Sequence, residues 1–155
     1  MYKNKFIAFI DILGFGSLVE KSADIPDIAE SIQDALVSMN PKLLHQTMFG
    51  SLHEEKIPEE RMEHAQMVLA RMNLNMSKMH PVTISYFSDS LVLSAEADDV
   101  IASQTILELL AKLSIKLWDE HSLLLRGGVT LGKLVHIENG PLFGPSMNRA
   151  YYLAY

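Results

Sequence analysis

The spacing of apolar residues changes several times along the N-terminal half of the chain. Residues 5–12 are apolar on both faces of an extended segment, which predicts a strand that is covered on both sides or central in a sheet. Apolar positions then recur at helical spacing over 25–39, with Pro26 in the first turn, and over 62–79, up to a proline at position 81. The mixed residues of 42–57 give no assignment. We therefore expect two helical segments between the first strand and the next.

The C-terminal half is patterned as two pairs of strands around a long helix. The β-rich runs 82–87 and 90–95 are separated by Ser88-Asp89, which predicts a tight hairpin. A helix over 99–119 follows. After it we expect the remaining elements, which are strands over 123–131 and 133–137, a turn at Asn139-Gly140 and a helix that starts within 144–153.

The order of the predicted elements is β-α-α-β-β-α-β-β-α. It contains the β-α-β-β-α-β order of the split βαβ, or ferredoxin-like, fold, with an extra helix in the first crossover. We therefore predict an α+β protein of this palm type, with a mainly antiparallel central sheet and flanking helices. The whole of 1–155 is expected to form one domain, since no repeat or linker interrupts it.

Composition and charge narrow the functional classes. The chain has no cysteine, which excludes disulfides and thiolate metal sites, and its net charge of -6 argues against broad nucleic-acid binding. No apolar segment has the roughly 18 to 20 residues of a membrane helix, and the N-terminus lacks a signal-peptide pattern. We expect a soluble, cytoplasmic protein. An acidic protein that handles phosphates would need metal ions between itself and its ligand.

Two aspartates are the first candidates for such chemistry. Asp11 interrupts the apolar run F-I-A-F-I-D-I-L-G-F, and an unpaired carboxylate in an apolar interior costs several kcal/mol. The predicted topology places the end of the first strand beside the hairpin turn, so Asp11 and Asp89 become neighbours. Two adjacent carboxylates suit Mg²⁺ or Mn²⁺. Taken separately, Asp11 is equally well explained as a cap after a strand, and Asp89 as an ordinary turn residue.

An arginine and a helix start are the next candidates. Arg126 lies inside an apolar strand before two glycines, which allow the protein backbone to approach a ligand closely, and its guanidinium suits a phosphate or carboxylate. The alternative is an ion pair with a core acid. Asn148 and Arg149 lie in the first turns of the last helix, whose N-terminus suits an anion unless it is only a capped surface helix.

Histidine and methionine residues suggest no further site. The six histidines show no metal-ligand spacing, and His136 is interpreted as a hairpin residue. The methionine-rich stripe of 62–79 is more typical of core or dimer packing than of a cofactor site.

Four short stretches, in order along the chain, resemble the motifs of the class III nucleotidyl cyclases. F-I-D-I-L-G-F resembles the first metal motif of that family. This resemblance implies that Asp11 and the carbonyl of Ile12 bind a metal ion, with Gly14 and Phe15 near the phosphates. Ser-Asp-Ser resembles the second metal motif and implies that Asp89 is a further ligand.

The two other stretches resemble the catalytic strand and helix of the family. L-R-G-G-V-T-L-G resembles the strand with a phosphate-binding arginine, Arg126, and G-P-S-M-N-R-A-Y-Y-L resembles the helix whose asparagine, Asn148, orients the ribose and supports the transition state. Family architecture implies a homodimer with two interfacial sites. Each site would take the aspartates from one chain and Asn148 from the other, with two Mg²⁺ or Mn²⁺ ions.

The departures from the family pattern concern the nucleobase. Where purine cyclases have a base-reading lysine this chain has Ser85, and where they have its partner aspartate it has Pro141. Strand alternation places Ser85 and Phe87 on the face of Asp89. These features resemble the pyrimidine cyclases of bacterial antiphage defence (Pycsar). They imply a uridylate or cytidylate cyclase, with UTP the expected substrate and a downstream cyclic-nucleotide effector protein as partner.

Two other departures affect the catalytic machinery. Tyr152 stands where the family has an arginine that stabilises the transition state. Arg149 is a candidate to bind the substrate in place of this arginine. The chain also stops before the last strands of the family domain, so we expect a longer protein. The alternatives are a purine cyclase with unusual base contacts and an inactive nucleotide-binding or dimerisation domain. A polymerase-like palm lacks the basic track that a nucleic-acid strand needs.

Overall fold

The computed structural model describes all 155 residues as an antiparallel sheet with helices on both sides. The chain forms five strands and six helices, with a short 3₁₀ turn at Glu54–Lys56. The strands are β1 (Lys3–Ile12), β2 (Thr83–Phe87), β3 (Ser90–Glu96), β4 (Leu125–His136) and β5 (Leu142–Phe143). The helices are α1 (Phe15–Ser22), α2 (Pro26–Ser38), α3 (Pro41–Thr47), α4 (Glu59–Met79), α5 (Val100–His121) and α6 (Pro145–Ala154).

The sheet has the strand order β2-β3-β1-β4-β5, and every neighbouring pair is antiparallel. The first strand lies at the centre, between the β2–β3 hairpin and β4, as the ferredoxin-like topology requires. The predicted fold class is therefore confirmed. The hairpin turn is also confirmed, because Phe87 pairs with Ser90 and only two residues connect them.

The two faces of the sheet are covered to different extents. On one face, alternate residues of the strands pack with α2, α3 and α5 in a core of 18 buried residues that includes Ile10, Leu93 and Ile106. On the other face, α6 covers a cluster of only five buried residues. Because Ile7 and Phe9 belong to this smaller cluster, strand alternation places Asp11 on the same face.

Several elements differ from the sequence prediction. Helices α1 and α3 were not predicted, since both are short, and α3 lies in the unassigned mixed segment. The two strands expected over 123–131 and 133–137 form one strand, β4, because Gly132, at a φ of 153°, keeps the chain extended. The turn at Asn139-Gly140 is confirmed, with the amide of Gly140 donating to the carbonyl of Ile137.

Helix α4 carries the methionine-rich stripe but adds little to the core. Its only buried residue is Asn73, whose side chain bonds the backbone of Phe49 and Gly50. The stripe residues Met72 and Met79 are exposed, so the core-packing interpretation of this stripe is wrong for the chain by itself. No helix is sufficiently long and apolar to cross a membrane.

Candidate active site

The ends of β1 and of the β2–β3 hairpin bring the two predicted aspartates together. Asp11 lies opposite Ser90 in the ladder, and the amide of Ile12 donates to the backbone carbonyl of Asp89 at 3.3 Å. Partial burial raises the pKa of Asp89, and the negative charge of Asp11 adds to this rise. The two carboxylates therefore share one electrostatic environment, as the topology predicted.

Asp11 is buried and has a cationic partner within the chain. Arg126, directly opposite in the β1–β4 ladder, donates from Nε and Nη2 to the two carboxylate oxygens at 2.9 and 3.2 Å. This fork is the bidentate geometry that an arginine forms with a carboxylate. It is also the ion pair that the sequence left open as the alternative to phosphate binding by Arg126.

Tyr155 completes this charged cluster. Its hydroxyl donates to Asp11, and its ring lies under the guanidinium of Arg126, 3.7 Å from centroid to Cζ. The bond to Asp11 raises the pKa of the Tyr155 phenol. Sequence reasoning missed this residue, because nothing in the local pattern connects a tyrosine at the end of a helix to an aspartate in β1.

The donor set fits a hard divalent cation. No group of three or more histidine, aspartate or glutamate side chains is arranged to hold a metal ion. Two carboxylates with a backbone carbonyl are nevertheless what Mg²⁺ uses when the phosphates of a substrate supply its other ligands. Partial burial and then the charge of Asp11 raise the pKa of Asp89, and a cation would favour the ionised carboxylate against both effects. Such a cation must compete with Arg126 for Asp11.

The loop after β1 supports the predicted phosphate contacts. Gly14 has a φ of 74°, a left-handed conformation that favours glycine, and it is the N-cap of α1. The first amides of a helix have no intrahelical partner, and because no side chain caps α1 these amides suit an anion. Phe15 is partly buried and packs against the main core, which leaves its backbone, rather than its ring, for a ligand.

The predicted base-reading residues lie on β2, two strands away from Asp11. Register places Phe87 opposite Ser90 and Ser85 opposite Val92, on the same face as Asp11. Phe87 is exposed, whereas Tyr86 turns to the opposite face and packs against the main core. The structure therefore brings Ser85 and Phe87 onto the face of the two aspartates.

A buried histidine behind Ser85 was not recognised as a candidate from the sequence. His136 ends β4, and its ring nitrogens lie 2.9 Å from Oγ of Ser85 and 2.8 Å from Oγ of Ser94. Burial, together with the nearby charge of Lys5, lowers the pKa of His136 to about 4. The sequence contains one indication that His136 is buried. It lies two residues after the apolar Leu134 in the same strand, so both side chains lie on the same face of the sheet.

The glycines after Arg126 accommodate the protein itself, which corrects the expectation that they admit a ligand. A Cβ on Gly127 would clash with the backbone of Phe9, and one on Gly128 would clash with the carbonyl of Ala150 in α6. The pair is thus needed for tight packing of β4 against β1 and α6.

Helix α6 presents its two predicted residues to solvent. Asn148 and Arg149 are exposed, and Asn148 makes no side-chain hydrogen bond to any other predicted site residue. The Nη2 of Arg149 lies 3.4 Å from the carbonyl of Leu131, a long hydrogen bond. Within one chain, the structure therefore brings together Asp11, Asp89 and Arg126, whereas Asn148 lies on the exposed surface of α6.

A large cleft lies away from these residues. It has a volume of about 1130 Å³ and is lined by residues of α3, α4 and the β4–β5 turn, including His45, Asn73 and Glu138. None of the predicted site residues lines it. The chemistry of the aspartates, rather than concavity, therefore defines the candidate site.

Comparison with solved structures finds a cyclase whose fold is similar to that of this chain. A bacterial light-regulated adenylyl cyclase superposes with a TM-score of 0.54, and the match covers 99% of this chain and 70% of that chain at 15% sequence identity. At this identity the similarity establishes a cyclase-like fold and nothing finer. Neither protein-family models nor curated protein sequences give a match.

Proposed function

We propose that this protein is a nucleotidyl cyclase that converts a pyrimidine nucleoside triphosphate to a 3′,5′-cyclic nucleotide and pyrophosphate. The proposed substrate is UTP. The observation that carries the proposal is the meeting of Asp11 and Asp89 at the ends of β1 and the β2–β3 hairpin. The similarity in fold to an adenylyl cyclase supports a nucleotide as the class of substrate. The pyrimidine preference rests on Ser85 and Pro141.

In the proposed reaction the ribose 3′-oxygen attacks the α-phosphorus in line. The bond between this oxygen and phosphorus forms, the bond to the bridging oxygen of pyrophosphate breaks, and the 3′-hydroxyl proton passes to solvent. Asp11 and Asp89, with the carbonyl of Ile12, would hold two Mg²⁺ or Mn²⁺ ions. When bound, such ions lower the pKa of the 3′-hydroxyl and neutralise charge on the phosphates.

The other site residues bind and orient the substrate. The backbone of Gly14 and Phe15 would contact the phosphates at the start of α1. Asn148 would orient the ribose from the second subunit of a homodimer, which agrees with its exposure on α6. Arg149, also exposed, would replace the transition-state arginine that is absent at Tyr152.

Arg126 changes partner in this scheme. It neutralises Asp11 in the structure described here, through two hydrogen bonds. If Asp11 held a divalent cation, the Arg126 guanidinium would be available to bind a phosphate of the substrate. The arrangement would keep a buried carboxylate paired both before and after substrate binds.

The cyclic product would serve as a signal for an effector protein in antiphage defence. This role rests on the resemblance to pyrimidine cyclases of that kind. Two other functions have specific support. The adenylyl cyclase of similar fold favours a purine cyclase, and the closed pairing of Asp11 with Arg126 and Tyr155 favours an inactive nucleotide-binding domain.

Turnover assays separate these three functions. The purified protein is incubated with each of UTP, CTP, ATP and GTP and with Mn²⁺, and cyclic products are identified by mass spectrometry. We expect cyclic UMP from the native chain and at least a hundredfold less from Asp89→Ala, whereas Asp98→Ala, at an exposed acid, keeps native turnover. Cyclic AMP as the sole product contradicts the pyrimidine preference, and nucleotide binding without any turnover supports the inactive domain.

A further inference from the structure

Three polar residues from three strands meet behind the predicted base-reading position. His136 of β4 lies between Ser85 of β2 and Ser94 of β3, with one ring nitrogen on each hydroxyl. His136 and Ser94 are buried, whereas Ser85 is only partly buried. The hydrogen bonds Ser94–His136–Ser85 therefore connect the interior of the sheet to a hydroxyl that a ligand can reach.

The hydrogen-bond partners of Ser94 determine the direction of this chain. The hydroxyl of Ser94 is fully buried, and Nδ1 of His136 is its only side-chain partner. If Nδ1 carried the proton and donated to Ser94, the proton of the buried Ser94 hydroxyl would have no acceptor, which is unfavourable in an apolar interior. Ser94 therefore donates to Nδ1, which leaves the ring proton of a neutral histidine on Nε2.

The surroundings keep His136 neutral. Burial opposes the imidazolium, and the positive charge of Lys5 opposes it further. The neighbouring acid Glu96 is occupied by Lys5 and Lys3, at 2.7 and 3.2 Å, and forms no contact with the ring. A neutral ring has one donor and one acceptor, so the direction set at Ser94 is transmitted to Ser85.

We propose that His136 is a positioning residue that fixes the Ser85 hydroxyl as a hydrogen-bond donor toward the nucleobase. With Nε2 donating to Oγ, the hydroxyl proton of Ser85 points away from the ring, toward the open face of the sheet. Such a donor pairs with a base carbonyl, such as O4 of uracil, whereas the amino group that cytosine carries at the same position can bond only the remaining lone pair of Oγ and offers no acceptor to the hydroxyl proton. This inference rests on the proposed function and narrows it to keto bases.

The first test compares two buried serines. Ser94→Ala removes the group that sets the tautomer without touching the nucleotide, and Ser38→Ala removes a buried hydroxyl that bonds only its own helix, at Asp34. We expect Ser94→Ala to reduce the ratio of kcat/KM for UTP over CTP about tenfold, mainly through KM, while Ser38→Ala leaves it unchanged. A UTP-to-CTP ratio within twofold of native in Ser94→Ala overturns the proposal.

The second test needs no turnover. Ring nitrogen shifts of ¹⁵N-histidine-labelled protein at pH 7 report the tautomer of His136 directly, with assignment by His136→Gln. We expect an Nε2-protonated ring in the native chain and a mixture of tautomers in Ser94→Ala. An Nδ1-protonated or charged ring in the native chain overturns the proposal. If no nucleotide is cyclised but the ring is Nε2-protonated, the proposed function fails while the hydrogen-bond direction stands, and UTP and CTP affinities replace kcat/KM in the comparison.

Discussion

The two faces of the central sheet carry different kinds of residue on the same strands. On the face covered by α2 and α5, the strands contribute apolar side chains to a core of 18 buried residues. On the face of α6, the buried apolar cluster has five residues and shares β1, β3 and β4 with the polar groups Asp11, Ser94 and His136. Stability is thus concentrated on one face, and candidate chemistry on the other.

The largest expected effect tests the covered face. Leu93 is fully buried in the main core, so Leu93→Ala should lower the free energy of unfolding by about 2 to 5 kcal/mol. Leu131→Ala removes the same atoms from an exposed position on β4 and should change it by less than about 0.5 kcal/mol. Urea unfolding of both variants measures the difference, and equal losses would mean that the main core does not dominate stability.

A smaller effect tests the polar interior of the other face. The pKa of His136 lies at about 4, below its ordinary value of 6.5, so the fold favours the neutral ring. The stability that this provides is complete above pH 6.5 and is lost as the pH falls toward 4, by an amount of order 2 kcal/mol.

Unfolding free energies between pH 7 and pH 4 measure this loss. His136→Gln should show a shallower decline than the native chain, whereas His64→Gln, at an exposed position on α4, should follow the native chain. Identical slopes for all three proteins would show that His136 takes up no proton on unfolding.

The smallest expected effect tests the role of Asp89 in the proposed metal site. The raised pKa of Asp89 means that stability is present below its ordinary value of 3.8 and is lost as the pH rises through the folded value. At pH 7 without divalent cations, Asp89→Asn should therefore be more stable than the native chain by a few tenths of a kcal/mol, since the group is partly solvent-screened.

Divalent cations should reverse this order. Mn²⁺ that binds only the folded native chain would raise its melting temperature and leave Asp89→Asn unchanged. Asp24→Asn, at an exposed acid, should respond as the native chain does. An equal response of Asp89→Asn and the native chain to Mn²⁺ would remove Asp89 from any metal site.

The sequence predicted those parts of the molecule that depend on alternation and order. The position of Asp11 beside Asp89 followed from topology, because β1 and the hairpin must be neighbours in this fold. The faces of Ser85 and Phe87 followed from the two-residue period of a strand. The roles of these residues in binding metal and substrate stay predictions.

Contacts made between distant elements were harder to predict. Tyr155 reaches Asp11 because α6 lies across β4, and His136 of β4 reaches Ser94 of β3 although β1 lies between these two strands in the sheet. The glycines after Arg126 fit α6 and β1, which no local pattern indicates. Short helices such as α3 depend on tertiary packing, here of Leu44, rather than on a long periodic signal.

The central place of β1 also has a consequence for how the chain folds. Every strand partner of β1 is distant in sequence, as the separations of 91 residues between Lys5 and Glu96 and of 115 between Asp11 and Arg126 illustrate. During synthesis this apolar strand emerges before β3 and β4, and it must wait for both before it can pair. Closure of such long loops is slow, so β1 stays an unpaired apolar strand in the nascent chain until the later strands have been made.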